Sequence, residues 1–139
     1  MKKIIVVIIM FLIILNCSNN EKQFSLLSYF SGEYIAYTSV NGGEDCVDLG
    51  FCYVNTKPVK DCVIGESITI EDCEVSSALL KLNARVVKTE YLENGTTVIY
   101  AFSNLINEKV DVFGKNVNIQ MAIKDNRTII GWPLILGSF

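Results

Sequence analysis

The stretch RVVKTEYLENGTTVIYAFS, residues 85–103, places an Asn-Gly pair between two runs rich in β-branched and aromatic residues. Asn94-Gly95 is the preferred pair for a two-residue type I′ turn, because both central residues of that turn need a positive φ. With such a turn, Glu93 faces Thr96 and Tyr91 faces Val98. The stretch therefore predicts a β-hairpin with a fixed register. One face of the hairpin then carries the side chains of Val87, Thr89, Tyr91, Val98, Tyr100 and Phe102.

Three further segments have the composition or alternation of strands. Residues 34–40 (YIAYTSV) are β-branched and aromatic, residues 68–70 are a short apolar run, and apolar side chains alternate along residues 117–123. Residues 109–113 (KVDVF), before Gly114, are the expected hairpin partner of the third segment. The last apolar run contains Pro133, which cannot donate a ladder hydrogen bond, so we expect an edge strand or a bulge there.

One helix is expected at residues 74–83 (EVSSALLKLN). Val75, Leu79 and Leu82 recur at helical spacing and give one apolar face. Asp72 and Glu74 lie near its positive end, where carboxylates are favourable. The predicted fold class is α+β, an antiparallel β-meander covered by this one helix and braced by disulfides.

The N-terminus has the pattern of an export signal. Lys2 and Lys3 precede twelve apolar residues, Ile4–Leu15. A helix of this length is about 18 Å long, whereas a bilayer core is about 30 Å thick. The run is therefore too short for a comfortable membrane span and fits a signal peptide.

Ile14-Leu15-Asn16-Cys17 resembles the lipobox of bacterial lipoproteins. The resemblance implies that the Cys17 sulfur receives a diacylglyceryl group, that the peptide is cut before Cys17, and that the new N-terminus is acylated. Asn16 departs from the family pattern, which has Gly, Ala or Ser there. The alternative is a short uncleaved anchor with a spare cysteine.

This interpretation divides the chain into a signal peptide at 1–16, a lipidated cysteine with a short tether at 17–28, and a single domain at 29–139. Cleavage leaves 10 basic and 15 acidic residues, a formal charge of −5. That sign is wrong for nucleic acid and for electrostatic attraction to an anionic membrane. We expect a lipid-anchored protein of the cell membrane or outer membrane, with a possible envelope protein as partner and no nucleic acid.

Five cysteines are present. Lipidation of Cys17 would leave Cys46, Cys52, Cys62 and Cys73, an even number that an oxidising compartment allows to pair. Their spacing lacks the short knuckles of a zinc site and the Cys-x-x-Cys of a thiol oxidoreductase. We therefore expect disulfides of undetermined pairing, and no metal or cofactor.

The chain has no histidine, which removes Ser-His-Asp and Cys-His nucleophile pairs. No phosphate-binding or EF-hand motif is present. Two acidic groups remain as an alternative basis for an envelope enzyme or metal-binding protein. They are Glu44, Asp45 and Asp48, and Glu71, Asp72 and Glu74.

The C-terminal residues VNIQMAIKDNRTIIGWPLILGSF resemble the end of the YwmB-like family of exported Bacillota proteins. The likeness consists of an Asn-x-Gln strand, a basic residue and a final strand with Gly-x-Pro, and it covers about 25 residues. It implies a shape similar to that of the TATA-box-binding protein and no particular activity.

The sequence favours a non-enzymatic envelope lipoprotein with a small binding or structural domain and no catalytic residues. A third interpretation is a subunit of a larger envelope assembly that uses the edge expected at Pro133.

Overall fold

Antiparallel pairing dominates this computed structural model, which describes residues 24–39, 49–53 and 63–135. Its strands are β1 (Glu33–Ser39), β2 (Leu49–Tyr53), β3 (Val63–Glu71), β4 (Ala84–Tyr91), β5 (Thr97–Ser103), β6 (Val110–Val112), β7 (Lys115–Val117), β8 (Ile119–Lys124) and β9 (Arg127–Trp132). A single turn of 3-10 helix spans Leu26–Ser28, and the helix α1 spans Val75–Lys81.

Seven strands form one sheet in the order β2-β1-β3-β9-β8-β5-β4. Strands β6 and β7 form a separate hairpin. The predicted α+β meander is therefore wrong: the described chain is mostly antiparallel sheet, and its last strand returns to the middle beside β3. The helix expected at residues 74–83 is present as α1, but its seven residues are too few to make the fold class α+β.

The hairpin predicted from residues 85–103 is present as β4 and β5, in a different register. Tyr91 pairs with Thr97 rather than Val98. The loop has three residues: Gly95 N donates to Leu92 O, Leu92 N donates to Thr96 O, and Gly95 has a φ of +83°. This is a type I turn followed by a left-handed glycine. The extra loop residue shifts the pairing by one and turns Tyr91 out to solvent.

A bulge interrupts β4 at Val87, because Val86 pairs with Ala101 while Lys88 pairs with Tyr100. The extra residue reverses the alternation of side chains along the strand. Arg85, which pairs with Phe102, and Lys88 consequently face the same side of the sheet.

The main core lies on the opposite side of the sheet, which we call the inner face. Ile68, Ile130 and Met121 meet there across three neighbouring strands, all fully buried. Ala78 and Leu82 of the α1 region and Leu26 of the 3-10 turn cover them. The cover therefore comes from α1 and from the segment around Leu26 together.

The C-terminal strand is not an edge. Strand β9 pairs with β3 on one side and β8 on the other, and its last pair is Trp132 with Glu66. Pro133 follows that last pair, so its missing N–H costs the ladder nothing. The prediction of an edge at Pro133 is therefore wrong. A strand is present at residues 68–70 as predicted, but β3 extends it to nine residues.

Candidate functional site

The cysteines predicted from the sequence are only partly described. Cys17, Cys46 and Cys62 lie outside the described residues, and Cys52 is described as a backbone position in β2. Cys73 has a free thiol and is half-buried. The expected disulfides stay a prediction, because Cys73 is the one mature cysteine whose side chain is described.

The sheet register separates Cys52 from Cys73. Cys52 pairs with Ala36, and Ala36 pairs with Glu66. From Glu66 to the end of β3 at Glu71 the strand rises about 16 Å, whereas disulfide-linked Cα atoms lie within about 7 Å. These two cysteines therefore cannot bridge in this fold. Burial raises the pKa of the Cys73 thiol above its ordinary value.

The acidic groups give no metal site in the part of the chain that is described. Glu44, Asp45 and Asp48 lie outside it. Glu71, Asp72 and Glu74 lie exposed at the junction of β3 and α1, and the Glu74 carboxylate accepts a hydrogen bond from Ser76 Oγ at 2.8 Å. Among residues 24–39, 49–53 and 63–135, no three His, Cys, Asp or Glu side chains come close enough to hold a metal ion.

The most unusual titratable group is Glu66, a carboxylate with no exposed surface in the middle of β3. Four donors surround it. Ser25 Oγ and Tyr34 Oη donate to Oε1 at 3.0 and 2.5 Å, while Leu26 N and Trp132 Nε1 both donate to Oε2 at 2.7 Å. Each oxygen thus accepts two hydrogen bonds, which satisfies a buried carboxylate without a cation.

The Glu66 cluster is closed to ligands. Burial, and then the hydrogen bond to Glu66, raise the pKa of Tyr34 well above its usual range, so the phenol stays a donor. No solvent or substrate reaches the carboxylate, because Glu66 is fully enclosed. We interpret the cluster as structural: its hydrogen bonds hold Ser25 and Leu26 to the sheet.

The outer face of β4 and β5 carries cations and aromatic rings side by side. Lys88 Nζ lies 2.6 Å from Glu90 Oε1 and 3.4 Å from the centroid of the Phe113 ring. Phe113 in turn makes an edge contact with Tyr100 at 5.4 Å. The hydrogen bond from Lys88 lowers the pKa of Glu90. Lys88 is therefore already occupied by partners within the chain.

Arg85 is differently placed. Its Cζ lies 5.5 Å from the centroid of the Phe102 ring, and the residue is exposed. Within the described residues the one ion pair is Lys88–Glu90, so Arg85 has no carboxylate partner. A guanidinium that lies over a ring keeps N–H groups available for a planar anion.

Two open hollows meet at Arg85, and we call them together the edge groove. The first, of about 460 Å³, lies where α1 ends and β4 begins; it is lined by Leu79, Leu80, Asn83, Ala84, Arg85, Phe102 and Asn104. The second, of about 380 Å³, lies between β4 and the β6–β7 hairpin; it is lined by Arg85, Val86, Val87, Lys115 and Asn116. Among the residues that the structure describes, no acidic one lines either hollow.

The groove runs along a strand with one free side. Strand β4 is the last of the sheet, and in the described part of the chain β5 is its one pairing partner. None of its eight residues is fully buried. Leu80 and Val86, at 82% and 49% exposed, leave apolar surface beside this edge. Unpaired backbone groups of an edge strand can accept a further strand.

Sequence reasoning missed both sites. Glu66 stands in a segment, VIGESITIE, whose hydropathy alone does not reveal that the carboxylate points to the core. The edge groove depends on the bulge at Val87, for which the sequence contains no glycine or proline signal.

Comparisons of the chain with protein-family models, with curated proteins and with solved structures found no match. None of the helices in the described ranges has the length and apolar character needed to cross a bilayer.

Proposed function

We propose that the protein is a non-enzymatic, lipid-anchored binding module of the bacterial cell envelope. Its anchor is a lipid on Cys17, and its partner is an envelope protein that adds an extended segment to the free side of β4. The observation that carries the proposal is the edge groove beside the free side of this strand.

Strand addition suits this edge for two reasons. The backbone N–H and C=O groups on the free side of β4 supply affinity that does not depend on sequence. The exposed side chains of Leu80 and Val86 offer apolar contact next to them. Both features would be covered by a bound segment.

The anchor rests on the N-terminal sequence. Cys17 follows the apolar run Ile4–Leu15, and Ser25, the first residue held by Glu66, is eight residues later. Eight residues span at most about 29 Å when fully extended. An anchor at Cys17 would therefore keep the domain close to the membrane surface.

The intact mass of protein extracted from its native membrane tests the anchor. We expect a mass that corresponds to cleavage before Cys17 plus acyl chains. A mass that retains residues 1–16 without lipid would overturn this half of the proposal.

Photo-crosslinking in intact cells tests the edge. A crosslinker at Thr89 in β4 should capture a defined protein, to be identified and purified. Val86→Lys should weaken binding of that purified protein, because a lysine on an edge opposes strand pairing. The matched control is Ile64→Lys, which changes an apolar residue of similar exposure, 40%, on β3. Equal binding by both variants would contradict the proposal.

A further inference from the structure

We propose that the edge groove selects an extended peptide segment that carries a carboxylate side chain, and that Arg85 is the residue that binds the carboxylate. This inference rests on the proposed function and adds the chemistry of the ligand. The juxtaposition that supports it is a guanidinium that has no carboxylate partner among the described residues, lies over the Phe102 ring and lines both hollows.

Arg85 lines both hollows and Lys115 lines the second, while no acidic side chain of the described residues lines either hollow. Within residues 24–39, 49–53 and 63–135, neither cation has the ion-pair partner that Glu90 provides for Lys88. Arg is suited to bidentate binding of a carboxylate, since its fork of N–H donors matches the two oxygens.

The groove is basic although the chain as a whole is acidic, with a formal charge of −3 before any processing. Charges farther than about 8 Å are largely screened at physiological ionic strength. A carboxylate in the groove is therefore governed by Arg85 and Lys115 rather than by the net charge.

Arg85 lies three residues before Lys88, where regular pairing resumes after the bulge. Because Arg85 pairs with Phe102 and Lys88 with Tyr100, these three residues cover only two steps of β5, about 7 Å. A segment that pairs with residues 88–91 would reach Arg85 with a carboxylate about two residues from the paired stretch.

A peptide fits these features better than a lipid headgroup. A headgroup phosphate could use Arg85 and Lys115, but it would leave the free backbone edge of β4 and the apolar side chain of Val86 uncovered. Each basic residue near an anionic membrane contributes only about 1 kcal/mol. Two cations in an acidic domain make a weak membrane-binding surface.

A display library of random ten-residue peptides, selected against the full lipidated protein in detergent, tests the proposal. We expect the selected peptides to be enriched in Asp or Glu at one position. Replacement of that acid by its amide should weaken binding about tenfold in calorimetry, the loss expected for one charge-assisted hydrogen-bonded pair.

Arg85→Gln should abolish both the enrichment and the tenfold difference. Lys124→Gln is the matched control, because Lys124 is an exposed cation at the end of β8 and does not line the groove. Circular dichroism checks that both variants are folded. Unchanged acid preference in Arg85→Gln would overturn the assignment of Arg85.

Three other results would also overturn it. The selected peptides could lack an acidic preference, dispersed phosphatidylglycerol could displace them at equal concentration, or the protein could self-associate through Arg85. If crosslinking at Thr89 still captures a partner that Val86→Lys weakens, the proposed function stands and only the ligand chemistry fails. If neither experiment detects binding at β4, the proposed function fails.

Discussion

At the scale of single residues, Glu66 is the side chain on which the fold depends most. It joins four donors that come from the segment around Leu26, from β1 and from β9. Truncation of a satisfied buried carboxylate leaves donors without partners, which is costly because none of them can turn to water.

We predict that Glu66→Gln lowers the free energy of unfolding by about 2–4 kcal/mol, because the amide NH₂ would face two donors. Urea denaturation followed by circular dichroism measures the change. Glu71→Gln, an exposed substitution on the same strand, should change the free energy by less than about 0.5 kcal/mol. Equal effects would show that the four hydrogen bonds do not stabilise the fold.

Cys73 gives a second prediction at this scale. Burial raises the pKa of its thiol, and the thiolate is the reactive form. The rate of labelling of native protein should keep rising with pH beyond the ordinary thiol pKa of about 8.5. Mapping of the labelled peptide after labelling without reductant identifies the site. Protection of Cys73 until a reductant is added would contradict the free thiol seen here.

At the scale of elements, Asn118 separates β7 from β8 and ties them to the end of β5. Its Oδ1 accepts from Ser103 N at 2.8 Å, and its Nδ2 donates to Ser103 O at 2.8 Å and to Ile106 O at 3.0 Å. The residue has no exposed surface. Between β7 and β8, the Asn118 side chain thus makes hydrogen bonds of the kind that a neighbouring strand's backbone would otherwise make.

Asn118→Ala should cost about 2–4 kcal/mol of stability, because three buried backbone groups would lose their partner. The control is Asn116→Ala, two residues earlier in β7, where the side chain is exposed. Thermal and urea denaturation compare the two variants. Stability equal to that of the control would mean that water replaces the lost hydrogen bonds.

Local sequence signals predicted some of the helices and strands correctly. Alternation and turn residues correctly indicated β1, α1 and the β4–β5 hairpin, because those signals are local. The expected pairing of residues 109–113 with the strand at 117–123 is wrong: β6 pairs with β7, Lys115–Val117, and β8 pairs with β5 and β9. Asn83, expected as a helix stop, has a φ of +47°. The predicted strand register was wrong where one extra residue determines the pairing, in the loop at Gly95 and in the bulge at Val87.

Local sequence signals could not predict the position of β9 in the sheet or the burial of polar side chains. Pairing of β3 with β9 joins residues about sixty positions apart, so only the tertiary fold fixes it. Asn118 and Gln120 alternate with apolar residues and read as solvent-facing, yet both are buried. Gln120 accepts a hydrogen bond from Ile135 N at 2.9 Å.

At the scale of the whole molecule, the sheet order determines which parts open first. Strands β3, β9 and β8 have neighbours on both sides, while β4 has one. Amide hydrogen exchange should therefore be slowest in β3, β8 and β9 and faster in β4. Mass spectrometry of peptic fragments measures the order. Protection of β4 equal to that of β9 would indicate that its free side is already covered in the native protein.

The chain contains one tryptophan, and it is the buried donor to Glu66. Its indole is fully enclosed at the end of β9 and makes an edge contact with Phe24 at 5.9 Å. Tryptophan fluorescence of the unlabelled protein, excited where tyrosine does not absorb, therefore comes from a single known place, the contact between the segment around Phe24 and the last strand. A red shift of that emission would report detachment of this junction in real time, in detergent or in native membranes, without any added dye.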